Sequence, residues 1–238
     1  MATNMKFELQ STKVKAPMYI KTFELKPNHK DEYFKSLDYI HSKYGSAIDK
    51  IARQVGIDKR WIYAFQLIEA PKHVVGNPET AVSRVGAVGM MQITPETAND
   101  QIILYKKEFG NVPAILYEEL KKIGKDKLLT LDVLGSWQGK SYALTKEDLK
   151  NPILNLAIGA MMLKNLFHYF GNRLDLIIHA YNFSPVFSKK QAEKRLNKYK
   201  SVADTLSTAP RETQVYIVKM MGGDHNVIKF VQEYFSTV

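Results

Sequence analysis

The sequence predicts a mainly α-helical fold, and three observations carry that expectation. From Asp31 onward, apolar residues recur at intervals of three and four, the period of one helix face. Capping signals bracket these stretches: Asp58, Thr94 and Asn151 stand as N-caps, Gly56 and Gly171 as C-terminal stops, and Pro95 and Pro152 at first-turn positions. Convincing alternating strands are scarce.

Taken in order, residues 1–30 are Lys-rich and weakly patterned, with "MYIKTFEL" as a strand or an extended arm. Phe34, Leu37, Ile40 and Tyr44 mark a first helical face. Gly45 is read as its interruption, and Ser46 with Asp49 as the cap pair opening "AIDKIARQV", which Gly56 closes. Asp58 opens "KRWIYAFQLIEA" and Pro71 ends it. Trp61, Phe65 and Ile68 form its apolar stripe, so Glu69 falls in the last turn beside apolar residues. The helix dipole is negative there and desolvation disfavours charge, so both raise a carboxyl pKa.

Thr94, Pro95 and Glu96 begin the next helix. Residues 99–150 read as a charged elaboration with short helices ("QIILYKKEF", "AILYEELKKI") that flanks the site and stays out of the core. From Asn151 and Pro152 runs a helix apolar on nearly every side, as a central buried helix must be, with Gly159 and Ala160 allowing a close neighbour. "LDLIIHAYNF" follows and stops at Ser184–Pro185; the basic run 187–200 reads as a solvated helical face, and "RETQVYIVKMM" and "HNVIKFVQEYF" close the chain.

Composition sets limits. The 238 residues are 45% apolar and 24% charged, enough for one large domain with a sizeable core. With no cysteine, disulfide and thiolate chemistry are excluded. The scattered histidines His73, His168 and His179 have no metal-ligand spacing, so no metal and no cofactor is expected. The formal charge of +10 favours an acidic partner. The basic run lacks the interleaved aromatics of a base-stacking platform, so no nucleic acid is expected. No stretch is long and apolar enough to span a membrane. The N-terminus has no apolar signal segment, which points to delivery by a phage particle or release at lysis.

The segments "IDKIARQVGIDKRWIYAFQLIEA" and "AVSRVGAVGMMQITPETA" together resemble the catalytic region of the soluble lytic transglycosylase family, which shares the lysozyme-like fold with goose-type lysozymes. The family pattern places a Glu at a helix end before A-x-S-x-x-G-A-x-G-L-M-Q-x-x-P-x-T-A. Ala81, Ser83, Gly86, Ala87, Gly89, Met91, Gln92, Pro95, Thr97 and Ala98 match it. "NPILNLAIGAMML", "AYNFSP" and "APRETQVYIVKM" resemble three further blocks in the family's order. Departures are Ala70 where Ser is usual after the Glu, Met90 for Leu, Ser184 for Gly, and longer intervals between Glu69 and Ser83 and over 99–150.

The resemblance implies a lysozyme-like helical domain over 46–225 with an insertion at about 99–150 and a small irregular or β-hairpin segment near the active site. An N-terminal extension (1–45) and a C-terminal helix (226–238) flank that domain. It implies cleavage of peptidoglycan glycan strands in the bacterial cell wall by one catalytic carboxyl, Glu69. Ser83, Gly89 and Gln92 would contact the N-acetyl sugar, Gly86 and Gly89 by letting backbone approach it. Tyr181 would orient Glu69 through its hydroxyl, Asn182 would fix its turn, and Glu212 would line the cleft. Two alternatives stand beside this reading. One is a hydrolase of lysozyme type, with Glu79 as a second carboxylate activating water; the other is a non-catalytic virion or wall-binding module.

Overall fold

A computed structural model describes Phe7, residues 22–183 and residues 185–238. The described chain is helical almost throughout, as expected: α1 (Lys30–Val55), α2 (Lys59–Glu69), α3 (Lys72–Val75), α4 (Pro95–Phe109), α5 (Ala114–Lys122), α6 (Pro152–Phe170), α7 (Leu174–Asn182), α8 (Lys189–Lys198), α9 (Val202–Thr208), α10 (Arg211–Met221) and α11 (Val227–Thr237). Of the expected strand or arm at 18–25, residues 18–21 lie outside the described residues and 22–25 turn without forming a strand. Ser184, where α7 was expected to stop, also lies outside them.

Helix α6 is the axis of the fold. Asn151 caps it by accepting from the amides of Ile153 (3.0 Å) and Leu154 (3.1 Å). From Leu154 to Phe167 nearly every side chain is buried, because α1, α2, α4, α5, α7 and α8 all pack around it. A helix so enclosed has no solvent face to keep polar, which explains its continuous apolar sequence.

Two expectations fail, each for a physical reason. Gly45 does not break the first helix: α1 runs unbroken from Lys30 to Val55, across the expected boundary at residue 45. Gly45 is buried, and a Cβ there would lie 3.1 Å from His41 Nδ1 and 3.5 Å from the Tyr63 hydroxyl. The glycine therefore serves packing, not a helix end. Nor is 99–150 peripheral. Ile102 and Tyr105 of α4 are buried in the core against α6, and Ile115, Leu116, Leu120, Leu128, Leu144 and Leu149 join the same core. Buried Asn99 holds both backbone atoms of Leu144 (2.9 and 3.2 Å), and Asp100 Oδ1 accepts from Gly135 N and Trp137 Nε1. The segment's many charges had masked its apolar spacing.

At Gly159, a Cβ would lie 2.7–2.9 Å from three atoms of the Met91 side chain, including its Cβ. Met91 cannot retreat: its amide donates to Asn155 Oδ1 (2.7 Å) and its carbonyl accepts from the Tyr181 hydroxyl (2.9 Å). Gly159→Ala should therefore destabilise the protein by about 1–3 kcal/mol in a denaturation series, although alanine ordinarily favours a helix interior. A gain in stability would show that the Met91 loop is free to move.

Candidate active site

Glu69 is the last residue of α2. The end of that helix is closed locally: Ala70 N donates to Gln66 O (2.9 Å), and Gln66 Nε2 donates to Ala70 O (2.8 Å). Ala70 is fully buried, which suits a small residue at this position. The side chain of Glu69 keeps some exposure, but its carboxyl is crowded enough that burial pushes its pKa from the ordinary 4.5 up to about 8. Within that net rise, a hydrogen bond from the Tyr216 hydroxyl to Oε2 (3.4 Å) acts in the opposite direction and the nearby Glu212 charge adds a smaller upward push.

Residues 70–80, the longer interval after Glu69, are moored to α1. The Ser36 hydroxyl and His73 Nδ1 lie 3.0 Å apart. Glu79 Oε1 accepts from the Tyr39 hydroxyl (2.6 Å), the Tyr44 hydroxyl (2.7 Å) and Lys43 Nζ (3.0 Å). Burial alone would raise the Glu79 pKa, but these donors bring it down to about 2. Glu79 is thus an ionised anchor for the loop.

The stretch 81–93 folds into two tight turns, a small irregular segment with antiparallel bridges and no named strand. Val88 makes isolated antiparallel bridges to Val82 and to Ile93. Ser83 is used locally: its Oγ accepts from Ala87 N (3.0 Å), and its own amide donates to Ala87 O (2.8 Å). Gly89 is buried with φ at 79°, and a Cβ there would lie 2.6 Å from Asn155 Nδ2 and 2.9 Å from Leu149 O. Its neighbour is therefore the α6 region; the expected approach to a sugar is replaced by an approach to protein.

Buried Asn155 locks this loop to α6. Its Oδ1 accepts from Met91 N, and its Nδ2 donates to Val88 O (2.9 Å) and Leu149 O (3.1 Å). Gln92 follows with φ at 44°, a left-handed conformation that a non-glycine adopts only where surrounding contacts enforce it. Its Nε2 donates to Gly89 O (2.8 Å) and Ala81 O (3.2 Å), and among the described residues nothing donates to its Oε1. An acceptor is thereby left at the loop, partly exposed.

Tyr181 departs from expectation. Its hydroxyl donates to Met91 O, not to Glu69, while its ring packs on Phe65 of α2 (4.8 Å between centroids). It remains close enough for the Glu69 charge to add to the burial that raises its own pKa. Asn182 Oδ1 accepts from the Thr213 hydroxyl (3.0 Å), which ties the end of α7 to α10. Glu212 is exposed in the first turn of α10. The residue that touches Glu69 is Tyr216, one helical turn further along α10, and sequence reasoning passed over it. The signal was present, since Tyr216 is the tyrosine of "RETQVYIV", but attention went to the glutamate of that block.

Glu69, Tyr216, Glu212, Tyr181 and the Met91–Gln92 loop thus converge from α2, α10, α7 and the turn segment. A carboxyl that holds its proton near neutrality can act as a general acid toward a polar substrate. Among the described residues no group of three His, Asp or Glu side chains is placed to hold a metal ion, and no helix is long and apolar enough to cross a membrane.

The model of the transglycosylase SLT domain matches residues 46–112 and 133–203, together more than half of the chain. The unmatched stretch between them, 113–132, contains α5. No curated protein matches the sequence. Among solved structures, the X-ray structure of an inactive mutant of the lytic transglycosylase Slt from Pseudomonas aeruginosa is similar at 19% identity and a TM-score of 0.49. The match covers 82% of this chain and 24% of that one, so this chain spans about a quarter of that protein's length.

The two tyrosines should separate by titration. Tyr216→Phe removes a donor that favours the charged carboxyl, so the Glu69 pKa, followed by carbon-13 NMR, should move above about 8. Tyr181→Phe should leave that titration in place and cost about 1–1.5 kcal/mol of stability through the stranded Met91 carbonyl. The reverse pattern would restore Tyr181 as the partner of Glu69.

Proposed function

Because this chain belongs to the transglycosylase SLT domain family, we propose that it is a lytic transglycosylase acting on the glycan strands of bacterial peptidoglycan. It cleaves the β-1,4 bond between N-acetylmuramic acid and N-acetylglucosamine. The observation that carries this reading is the Glu69 carboxyl at the end of α2, with its pKa raised to about 8 and the Tyr216 hydroxyl at 3.4 Å.

In the proposed reaction, protonated Glu69 gives its proton to the glycosidic oxygen as the C1–O bond breaks. The carbonyl oxygen of the substrate's own N-acetyl group stabilises C1. The Glu69 carboxylate then takes the proton of the sugar's 6-hydroxyl as that oxygen bonds to C1. The product is a 1,6-anhydro end; no water is consumed, and Glu69 is protonated again. Most glycosidases use two carboxylates, and a substrate-assisted route needs only one. Glu79 speaks for the single-carboxylate route, because an oxygen with three donors and a pKa of about 2 is a poor base for activating water. Tyr216 steers the proton cycle by supporting the charged form. Gln92, with Oε1 open, and the exposed Glu212 are the proposed sugar contacts; Ser83 and Asn182 shape the loop and turn beside them.

Glu69→Gln keeps the shape of the side chain and loses the proton. Cleavage of purified peptidoglycan should fall by roughly 10²–10⁴-fold with the fold intact. Mass spectrometry of wild-type digests should show anhydro-muramic ends. Reducing ends, heavier by one water, would instead mark a hydrolase and contradict the mechanism.

A further inference from the structure

Behind the α7 turn lies a second cavity, of about 590 Å³, that the proposed chemistry does not use. His179 lies at its inner wall. It is 3% exposed, and neither ring nitrogen has a hydrogen-bond partner. A buried imidazole with both nitrogens unmet is costly, and such a group ordinarily has a partner. Burial, with the positive charges of Arg195 and Lys198, lowers its pKa to about 4, so the ring offers one donor and one acceptor near neutrality. Asp175 also acts on the ring, but its carboxylate is taken up by Arg173 (2.8 Å) and by the Thr205 hydroxyl (2.6 Å).

The wall is two-sided. Phe183, Pro185, Val186, Tyr199 and Pro210 supply apolar surface, with the Tyr199 ring 5.3 Å from His179. Lys194, Arg195 and Lys198, all from α8, supply positive charge, with Lys198 Nζ 4.9 Å from the Tyr199 ring. The run 187–200 is therefore more than a solvated face. The pocket is also joined to the candidate active site through its own wall. Phe183 directly follows Tyr181 and Asn182, and Pro210 directly precedes the helix that carries Glu212 and Tyr216. On α7, His179 and Tyr181 are two residues apart and so face opposite sides.

We propose that this pocket binds the carboxylate-bearing peptide stem of the strand whose glycan lies at Glu69. The inference rests on the peptidoglycan reading above. A stem of a few residues, at about 3.4 Å each, spans the roughly 10 Å width of α7 from the sugar to the pocket. Its acidic terminus meets Lys194 and Lys198, its side chains meet the apolar wall, and its backbone passes over the buried ring of His179. A polyphosphate wall polymer fits less well, because it has no apolar surface to place against Phe183, Val186 and Pro210.

The test uses the full chain carrying Glu69→Gln, so that nothing is cleaved, with a soluble N-acetylmuramyl tripeptide as the probe. Calorimetry should show binding that weakens about five-fold or more when the peptide carboxylates are amidated. It should weaken similarly in the Lys194→Gln, Lys198→Gln double variant, and the His179 imidazole signals should shift on binding. In the wild type, the same double variant should reduce the preference for peptide-bearing over peptide-stripped strands. Unmoved His179 signals, unchanged affinity in the double variant, or tighter binding of inorganic pyrophosphate than of the tripeptide would each overturn the assignment. If the tripeptide binds as expected but the wild type cleaves neither kind of strand, the transglycosylase reading fails and the pocket stands.

Discussion

One buried amide holds the site together. Asn155 lies buried in the first turn of the most enclosed helix of the fold, where a polar side chain survives only if its hydrogen-bonding groups are met. It meets them with the backbone of the turn segment at Val88 and Met91 and with Leu149, just before the helix. The turns carry hydrogen bonds of their own, between Ser83 and Ala87 and between Val88 and Ile93, and Asn155 fixes them against α6. Much follows from that contact. Gly89 must be glycine because Asn155 lies against it, Gly159 must be glycine because Met91 does, and the Met91 carbonyl is where Tyr181 finds a partner. Gln92, next along, is held in a left-handed conformation with its acceptor open.

A rigid loop on one side allows an uncomfortable carboxyl on the other. Glu69 ends α2, where the helix dipole opposes negative charge, and the surrounding burial opposes it more. A stability-driven sequence would put a cation there. The moderating contact is Tyr216, long at 3.4 Å, which supports the charged form without abolishing the raised pKa. Glu79 shows the opposite arrangement in the same region: three short donors hold a carboxylate ionised at about 2. Two glutamates ten residues apart are thus driven to opposite protonation states, Glu69 by burial and Glu79 by its hydrogen-bond donors.

The helical class, the caps at Asp58, Thr94 and Asn151, and the central helix were legible in the sequence because each is written locally, in spacing and end signals. So was the position of Glu69. What escaped depends on neighbours distant in sequence. Gly45 looks like a break until His41 and Tyr63 are seen against it. The charges of 99–150 conceal the residues that bury Ile102 and Leu116 against the central helix, and no local pattern announces Asn99 holding Leu144. Tyr181 and Tyr216 lie 35 residues apart, and only the packing of α7 and α10 decides which of them reaches Glu69. The matched range of the family model ends at residue 203, short of Tyr216, although "APRETQVYIVKM" carries that tyrosine within a block resembling the family's.

The clamp between the turn segment and α6 is the contact the site depends on, and the amide proton of Met91 reports it directly. Its acceptor among the described residues is Asn155 Oδ1 at 2.7 Å, inside the core. If the clamp holds as described, native-state hydrogen exchange at Met91 should be slowed by about 10⁴-fold or more, on the scale of global unfolding. Exchange at Met91 as fast as in the exposed residues near Val85 would contradict the account, because the loop would then open without the core.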